Sequence, residues 1–331
     1  MQVLSRRQVA LAAGVLLVTQ GAARGQQRKQ VSIGLSSSSF ATSGPRVADQ
    51  LGLFDKHGLS GKFHILDGST AAIAGLIAGS LGLVIVGLPD FVAAYGRNDS
   101  LVAIGSVYDG YGTSMVISKA LADKSGVSPD APLSDRLKAL EGHTIASVAP
   151  ASAGTGPYKA ALRALGVNVT MTYMSQPAMR AALEKGAIDG YTASAPFWAF
   201  PVADGSAVLW VDGPKGQLPA EATPSITGIM LTTRQYAAAN PEVIGDLRAM
   251  LADLATSVRQ RPKDVKAAVG TLYPDLGPAT LDALFAAEAN GWNTVPLTPR
   301  RLAHEIAVLK AIGLPVPADG NFDPAAMIAP S

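Results

Sequence analysis

Apolar and polar residues alternate in short runs and then recur at helical spacing, so the chain is predicted to alternate between strands and helices. Residues 31–35 are apolar at every second position, which predicts a strand, and residues 46–55 predict a helix that ends at Gly52. The further segments of the first half that predict strands are residues 62–66, 83–86 and 101–106. This order predicts an α/β fold.

One passage of this pattern occurs twice. Residues 76–84 and residues 183–191 both contain a leucine, a glycine three residues later and an aliphatic residue two positions after the glycine. Gly79 and Gly186 each suit the end of a helix, and a strand is predicted directly after each. The repeat predicts two similar α/β lobes.

The last third of the chain is predicted to be helical. Asn240 can cap a helix that begins at Pro241, and Pro278 and Pro299 are placed to begin two more. The apolar residues at helical spacing after Pro241 are Val243, Leu247, Met250, Leu251, Leu254 and Val258. Residues 114–117 and 226–231 are predicted to be extended segments that carry the chain between the lobes.

Composition supports two folded lobes and argues against nucleic acid as a partner. The chain has 331 residues, of which 48% are apolar and 16% are charged, so two cores of ordinary size can be buried. The 27 basic and 25 acidic residues leave a net charge of +2, with no clustered basic face.

The first 25 residues have the pattern of an export signal. Arg6 and Arg7 precede a short apolar run over residues 9–19, and small residues follow at 21–23. Both the twin-arginine route and the general secretory route fit this pattern. The chain has no cysteine, which excludes a disulfide, a thiol nucleophile and a lipid-modified cysteine. An exported protein of this kind is expected to be free in the periplasm.

No catalytic or metal-binding motif is found. The four histidines are scattered, and the chain has no G-x-S-x-G elbow, phosphate loop or H-E-x-x-H segment. We therefore expect no catalytic residue, no metal and no cofactor. Small hydroxyl residues follow two predicted strands, at Ser36–Ser39 and at Ser69 and Thr70. Ser69 or Thr70 is predicted to cap the next helix, where an anionic oxygen could be held.

Four stretches resemble one known family. Residues 48–59 resemble its A-x-x-x-G-L-F-x-x-x-G-L opening, and Leu76–Gly79 its L-x-x-G segment. Residues 137–146 resemble its L-K-G-K-x-I segment, and residues 182–190 its A-L-x-x-G-x-I-D-A segment. The family is that of the periplasmic substrate-binding proteins of ABC importers, in the nitrate, sulfonate and taurine group related to thiamine-pyrimidine binders. Gly82 stands where the family has an aspartate.

The resemblance implies a bilobed periplasmic-binding-protein fold of the Venus-flytrap, type II, class: two doubly wound α/β lobes joined by a two-segment hinge. Lobe 1 is expected over residues 31–113 and 230–331, and lobe 2, with the hinge segments, over residues 114–229. The implied function is to bind a small organic anion, or an aromatic or sulfonate-type compound, between the lobes and to deliver it to the membrane subunits of an ABC permease. The protein is expected to act as a monomer.

Ligand contacts are expected where strands end at the cleft. In lobe 1 these residues are Ser37, Ser38, Phe40, Ser69, Thr70, Leu88 and Tyr111, and in lobe 2 they are Ser152, Gly154, Thr155, Gln176, Ser194 and Phe197. No arginine falls in these loops, so hydroxyl groups and helix N-termini would have to hold an anion. A neutral or aromatic ligand would instead rest on Tyr108, Tyr111, Phe197 or Trp198.

Two other functions remain open. An exported ligand sensor needs the same closing cleft as a transport protein. The same bilobed fold also carries pyrimidine synthases and desulfinases. The absence of cysteine, the few histidines and the export signal favour binding over catalysis.

Overall fold

The strands form two mixed sheets. A computed structural model describes residues 28–317 and 323–330; the predicted export signal, residues 1–25, lies outside these ranges. The strands are β1 (Lys29–Leu35), β2 (Leu59–Ile65), β3 (Leu83–Gly87), β4 (Leu101–Asp109), β5 (Ser114–Ser118), β6 (Thr144–Ser147), β7 (Thr170–Tyr173), β8 (Gly190–Ala193), β9 (Ala207–Val211) and β10 (Ile226–Thr233). The sheet orders are β2-β1-β3-β10-β4 and β7-β6-β8-β5-β9.

Helices connect the strands of both sheets and complete the C-terminal part. They are α1 (Phe40–Gln50), α2 (Leu53–Lys56), α3 (Ser69–Ile77), α4 (Leu88–Tyr95), α5 (Lys119–Ser125), α6 (Leu133–Lys138), α7 (Gly156–Ala164), α8 (Gln176–Glu184), α9 (Ala199–Ala203), α10 (Arg234–Ala239), α11 (Pro241–Gln260), α12 (Pro262–Leu272), α13 (Pro278–Glu288) and α14 (Pro299–Ala311). Short 3-10 helices cover Ala220–Ala222 and Ala289–Trp292. The predicted bilobed α/β fold is confirmed.

The two sheets are built alike. Each has three parallel strands, in which the earliest in sequence lies in the middle, followed by one antiparallel strand and then an edge strand. The antiparallel strands, β5 and β10, are the two segments predicted to carry the chain between lobes. The crossings themselves lie at residues 110–113 and 212–225. Strand β10 pairs with β3 and β4 of the first sheet from Ile226 onward, four residues before residue 230, where this part of lobe 1 was predicted to begin.

Helix boundaries follow local chemistry in most places. Helices α11, α13 and α14 begin at the three prolines expected, and Asn240 is the N-cap of α11. The apolar stripe of α11 is buried through Leu254. Neither predicted capping residue caps α3: its N-cap is Gly68, and the hydroxyl of Ser69 donates instead to the side chain of Asp90.

The two lobes contact each other directly. The indole N–H of Trp198, from the second lobe, donates to Oε1 of Glu288 in the first lobe over 2.9 Å. The backbone N–H of Phe40 donates to the carbonyl of Ala195 over 2.7 Å. Buried residues of both lobes form one continuous apolar cluster around these contacts.

The closeness of the two crossings gives a first prediction. A Cβ added at Gly213 would lie 1.9 Å from the carbonyl oxygen of Thr113, so the backbones of the two crossings must separate to admit it. We expect Gly213→Ala to lower the free energy of unfolding by about 1–3 kcal/mol, measured by urea unfolding. The matched control is Gly245→Ala, in helix α11, where a Cβ would meet nothing. This control should stabilise the protein by about 0.5–1 kcal/mol; equal effects of the two changes would contradict the prediction.

Candidate functional site

A cavity of about 560 Å³ lies between the two lobes. Its walls are the loops that follow β1, β2, β6, β7 and β8, together with the first turn of α4. These loops all leave the C-terminal ends of parallel strands, which is where open α/β sheets bind ligands. We call this space the main cavity.

A smaller cavity of about 80 Å³ adjoins it. Both are lined by Ser37, Ser69, Asp90, Ser152 and Gln176, among others, and the smaller one extends to Thr113 at the first crossing. The two cavities therefore form one space that reaches from the cleft opening to the hinge.

Nine of the thirteen predicted contact residues line this space. Four come from the first lobe and five from the second; together they are Ser37, Ser38, Ser69, Thr70, Ser152, Gly154, Gln176, Ser194 and Phe197. Their contact with a ligand stays a prediction.

The other four predicted residues do not line it. Phe40 is the first residue of α1, which begins six residues before the helix predicted from residue 46, and its ring packs between Tyr273 and Trp292. Leu88 is fully buried in the core of the first lobe. Each of these side chains points into packed protein because its backbone has already turned into a helix.

Tyr111 and Thr155 are held by the second lobe. The hydroxyl of Tyr111 donates to the carbonyl of Ala153 over 3.0 Å, and its ring packs against Tyr158. Burial raises the pKa of Tyr111 well above its ordinary value. Thr155 has no exposed surface, and its hydroxyl donates to Ser147 Oγ over 2.5 Å. Of the aromatic residues proposed to support a ligand, only Phe197 faces the cavity.

Hydroxyl groups hold the loops of both walls in place. In the first lobe, Thr42 donates to the carbonyl of Ser37 over 2.7 Å, and the hydroxyls of Ser37 and Ser39 are 2.9 Å apart. In the second lobe, the hydroxyls of Ser152 and Thr155 are 3.0 Å apart. Part of the hydroxyl capacity predicted for a ligand is thus used within the protein.

Gln176 joins two loops of the second lobe. Its Oε1 accepts a hydrogen bond from the backbone N–H of Ser194 over 2.9 Å. Within the described part of the chain its amide NH₂ makes no hydrogen bond, so it can donate to a ligand in either cavity.

Sequence reasoning missed the charged residues of the site. Asp90 lines both cavities, and the exposed Asp67 lines the main cavity. Burial raises the pKa of Asp90 to about 6, and the hydrogen bond from Ser69 opposes this rise. The available signal was an acidic residue in the first turn of a helix that directly follows a buried strand.

The described residues contain neither a metal-binding cluster nor a membrane-spanning helix. No group of three or more His, Cys, Asp or Glu residues within 28–317 and 323–330 could hold a metal ion. No helix of the same ranges combines the length and the apolarity that a membrane crossing needs.

Comparison with protein families identifies the chain. The model of the NMT1-like family matches residues 24–272, which is more than half of the chain. The protein belongs to the NMT1-like family. A comparison with curated proteins gives no significant match.

Solved structures share the fold of this NMT1-like chain. A protein of Bordetella bronchiseptica aligns with a TM-score of 0.73 at 18% identity, covering 91% of this chain and 94% of that one. The alkanesulfonate-binding protein SsuA of Xanthomonas axonopodis pv. citri, bound to MOPS, aligns with 0.66 at 21% identity, covering 87% and 95%. The periplasmic nitrate-binding protein NrtA of Synechocystis PCC 6803 aligns with 0.61 at 12%, covering 89% and 84%. The family match and the shared fold agree with the resemblance found in the sequence.

Proposed function

We propose that the protein is the periplasmic solute-binding component of an ABC uptake system, which binds a small organic molecule between its lobes and delivers it to the permease. The observation that carries this proposal is the main cavity, which is lined from both lobes by loops at the C-terminal ends of strands. A ligand there contacts both lobes at once, so its binding energy can hold them together. The names of the sulfonate- and nitrate-binding neighbours support the same role.

The proposal covers location and assembly. Export by the predicted signal would place the protein in the periplasm, where it would act as a monomer that docks on the permease. Of the ligand classes that the sequence left open, an organic or sulfonate-type anion or an aromatic compound, the apolar side chains of the main cavity support the aromatic one. Among them are Ile65, Val148, Met174 and Phe197.

Blocking the main cavity tests the binding function. Thr70 is the second residue of α3, exposed, and lines the main cavity, so the indole of Thr70→Trp should occupy ligand space. We expect ligands found in a panel of small sulfonates, carboxylates, aromatic compounds and amines to bind this variant at least tenfold more weakly, because the indole excludes them from the walls. A ligand at 100 times its dissociation constant should add about 2.7 kcal/mol to wild-type stability, read as a thermal shift.

The matched control is Lys263→Trp, an exposed second residue of helix α12 outside both cavities. It adds the same indole at the same helical position and should leave binding unchanged. If no compound of the panel shifts the wild type, or if Thr70→Trp binds as the wild type does, the proposed function is wrong.

A further inference from the structure

The charges of the cavity do not suit an anion. Asp67 and Asp90 line it, and no lysine, arginine or histidine of the described residues does. An anionic ligand in this space is repelled by the carboxylate of Asp90 and, more weakly because water screens it, by that of the exposed Asp67. The neighbours with sulfonate and nitrate in their names share the fold, but this charge pattern favours the opposite sign of ligand.

Asp90 has no cation among the described residues. Its Oδ2 accepts one hydrogen bond, from Ser69 over 2.8 Å, and none of the ion pairs of the described chain includes it. A carboxylate that is partly withdrawn from water is stabilised by a cation or by several hydrogen bonds, and one hydroxyl supplies only part of that. With a pKa of about 6, the side chain is mostly ionised at neutral pH.

Apolar side chains gather at the opening of the main cavity. Ile65 at the end of β2, Val148 after β6 and Tyr173 at the end of β7 are 55%, 38% and 37% exposed, and all three line the main cavity. They come from both lobes. Exposed apolar groups that share a cleft mark a binding surface for an apolar body.

We propose that the ligand is an amphiphilic amine, whose ammonium group binds the Asp90 carboxylate and whose apolar body lies between Ile65, Val148 and Tyr173. This inference rests on the proposed function, since it takes the main cavity to be the ligand site, and it adds the charge and shape of the ligand. Ser69 orients the carboxylate by its hydrogen bond. A cavity of about 560 Å³ has room for a ring-sized body.

Three probes with one ring and different head groups test the charge. Benzylamine is a cation, phenylmethanesulfonate an anion and benzyl alcohol neutral, and each is titrated into wild type and Asp90→Asn by calorimetry. We expect wild type to bind benzylamine at least tenfold more tightly than phenylmethanesulfonate. Asp90→Asn should weaken the binding of benzylamine by about tenfold to a hundredfold, because the ammonium group loses its hydrogen bond to a charged group. The affinity for benzyl alcohol should be unchanged.

The control is Asp275→Asn, an exposed residue outside both cavities, which removes the same charge and should leave all three affinities unchanged. Asparagine at 90 can still accept from Ser69, and circular dichroism verifies that the variant is folded. If wild type binds phenylmethanesulfonate more tightly than benzylamine, and Asp90→Asn leaves that affinity unaltered or improves it, the amine proposal is overturned and the proposed binding function still stands.

The remaining outcomes separate the two proposals. If none of the three probes binds, the wider panel used for the proposed function decides. Amine hits lost in Asp90→Asn support the inference, and hits that are anionic or neutral overturn it. If no compound of any charge binds wild type, the binding function itself is overturned.

Discussion

Trp292→Ala should lower the free energy of unfolding by about 3–5 kcal/mol, because it removes a fully buried indole and leaves a cavity beneath α1. The ring of Trp292 packs 5.1 Å from that of Phe40 and meets the ring of Tyr108 edge-on at 6.3 Å. Its N–H also donates to the carbonyl of Phe40 over 3.0 Å. The contact fixes the start of α1, and this start follows Ser37 and Ser38 in the cavity wall. Urea unfolding followed by circular dichroism measures the loss.

Trp292→Phe is the graded control for this prediction. Phenylalanine keeps an aromatic ring beside Phe40 and Tyr108 but cannot donate to the carbonyl, so it should cost about 1–3 kcal/mol, less than the alanine change. If Trp292→Ala costs less than about 1 kcal/mol, or if the two variants are equally stable, this packing does not hold α1 in place.

The helical part of the fold could be predicted because its signals are local. Pro241, Pro278 and Pro299 each begin a helix, as proline suits a first helical position that needs no N–H donor. The roles of β5 and β10 could not be predicted in the same way. Both are apolar extended segments next to a crossing, and only pairing with strands distant in sequence decides that they belong inside the sheets.

The loops of the site could be predicted better than the side chains within them. The rule that ligands meet the ends of parallel strands selects the right loops, and nine of the thirteen residues chosen line the cavities. The rule does not say which side chain of a loop faces the cleft. In the first turn of α4 the rule selected Leu88, which is buried. Asp90, two residues later in the same turn, lies in the cavity wall. That direction depends on where the helix begins and on the core beneath it.

Glu288→Gln should change how stability depends on pH. Glu288 is buried at the contact between the lobes, where Oε1 accepts from Trp198 over 2.9 Å and Oε2 from Tyr108 over 3.2 Å. Burial raises the pKa of Glu288 to about 8 from its ordinary value of 4.5, and the hydrogen bonds from Trp198 and Tyr108 lower it by less. Between these two pKa values the folded protein holds a proton that the unfolded chain has released. Stability contributed by this group is therefore present below the lower value and lost as pH rises through the window.

Glutamine has nearly the same shape and never ionises, so its variant should escape this loss. We expect the difference in free energy of unfolding, Glu288→Gln minus wild type, to increase by roughly 4 kcal/mol as pH rises from about 4.5 to about 8.5. Unfolding in urea across this pH range measures the difference.

Glu288→Leu separates the effect of the lost charge from the effect of the lost hydrogen bond. It also removes the charge but leaves the Trp198 N–H without an acceptor, whereas the Tyr108 hydroxyl keeps the backbone carbonyl of residue 288 at 3.0 Å, so this variant should follow the pH slope of glutamine at a constant lower stability. Parallel pH curves for wild type and Glu288→Gln would contradict the prediction, because they would mean that the carboxyl group titrates alike in the folded and unfolded chain.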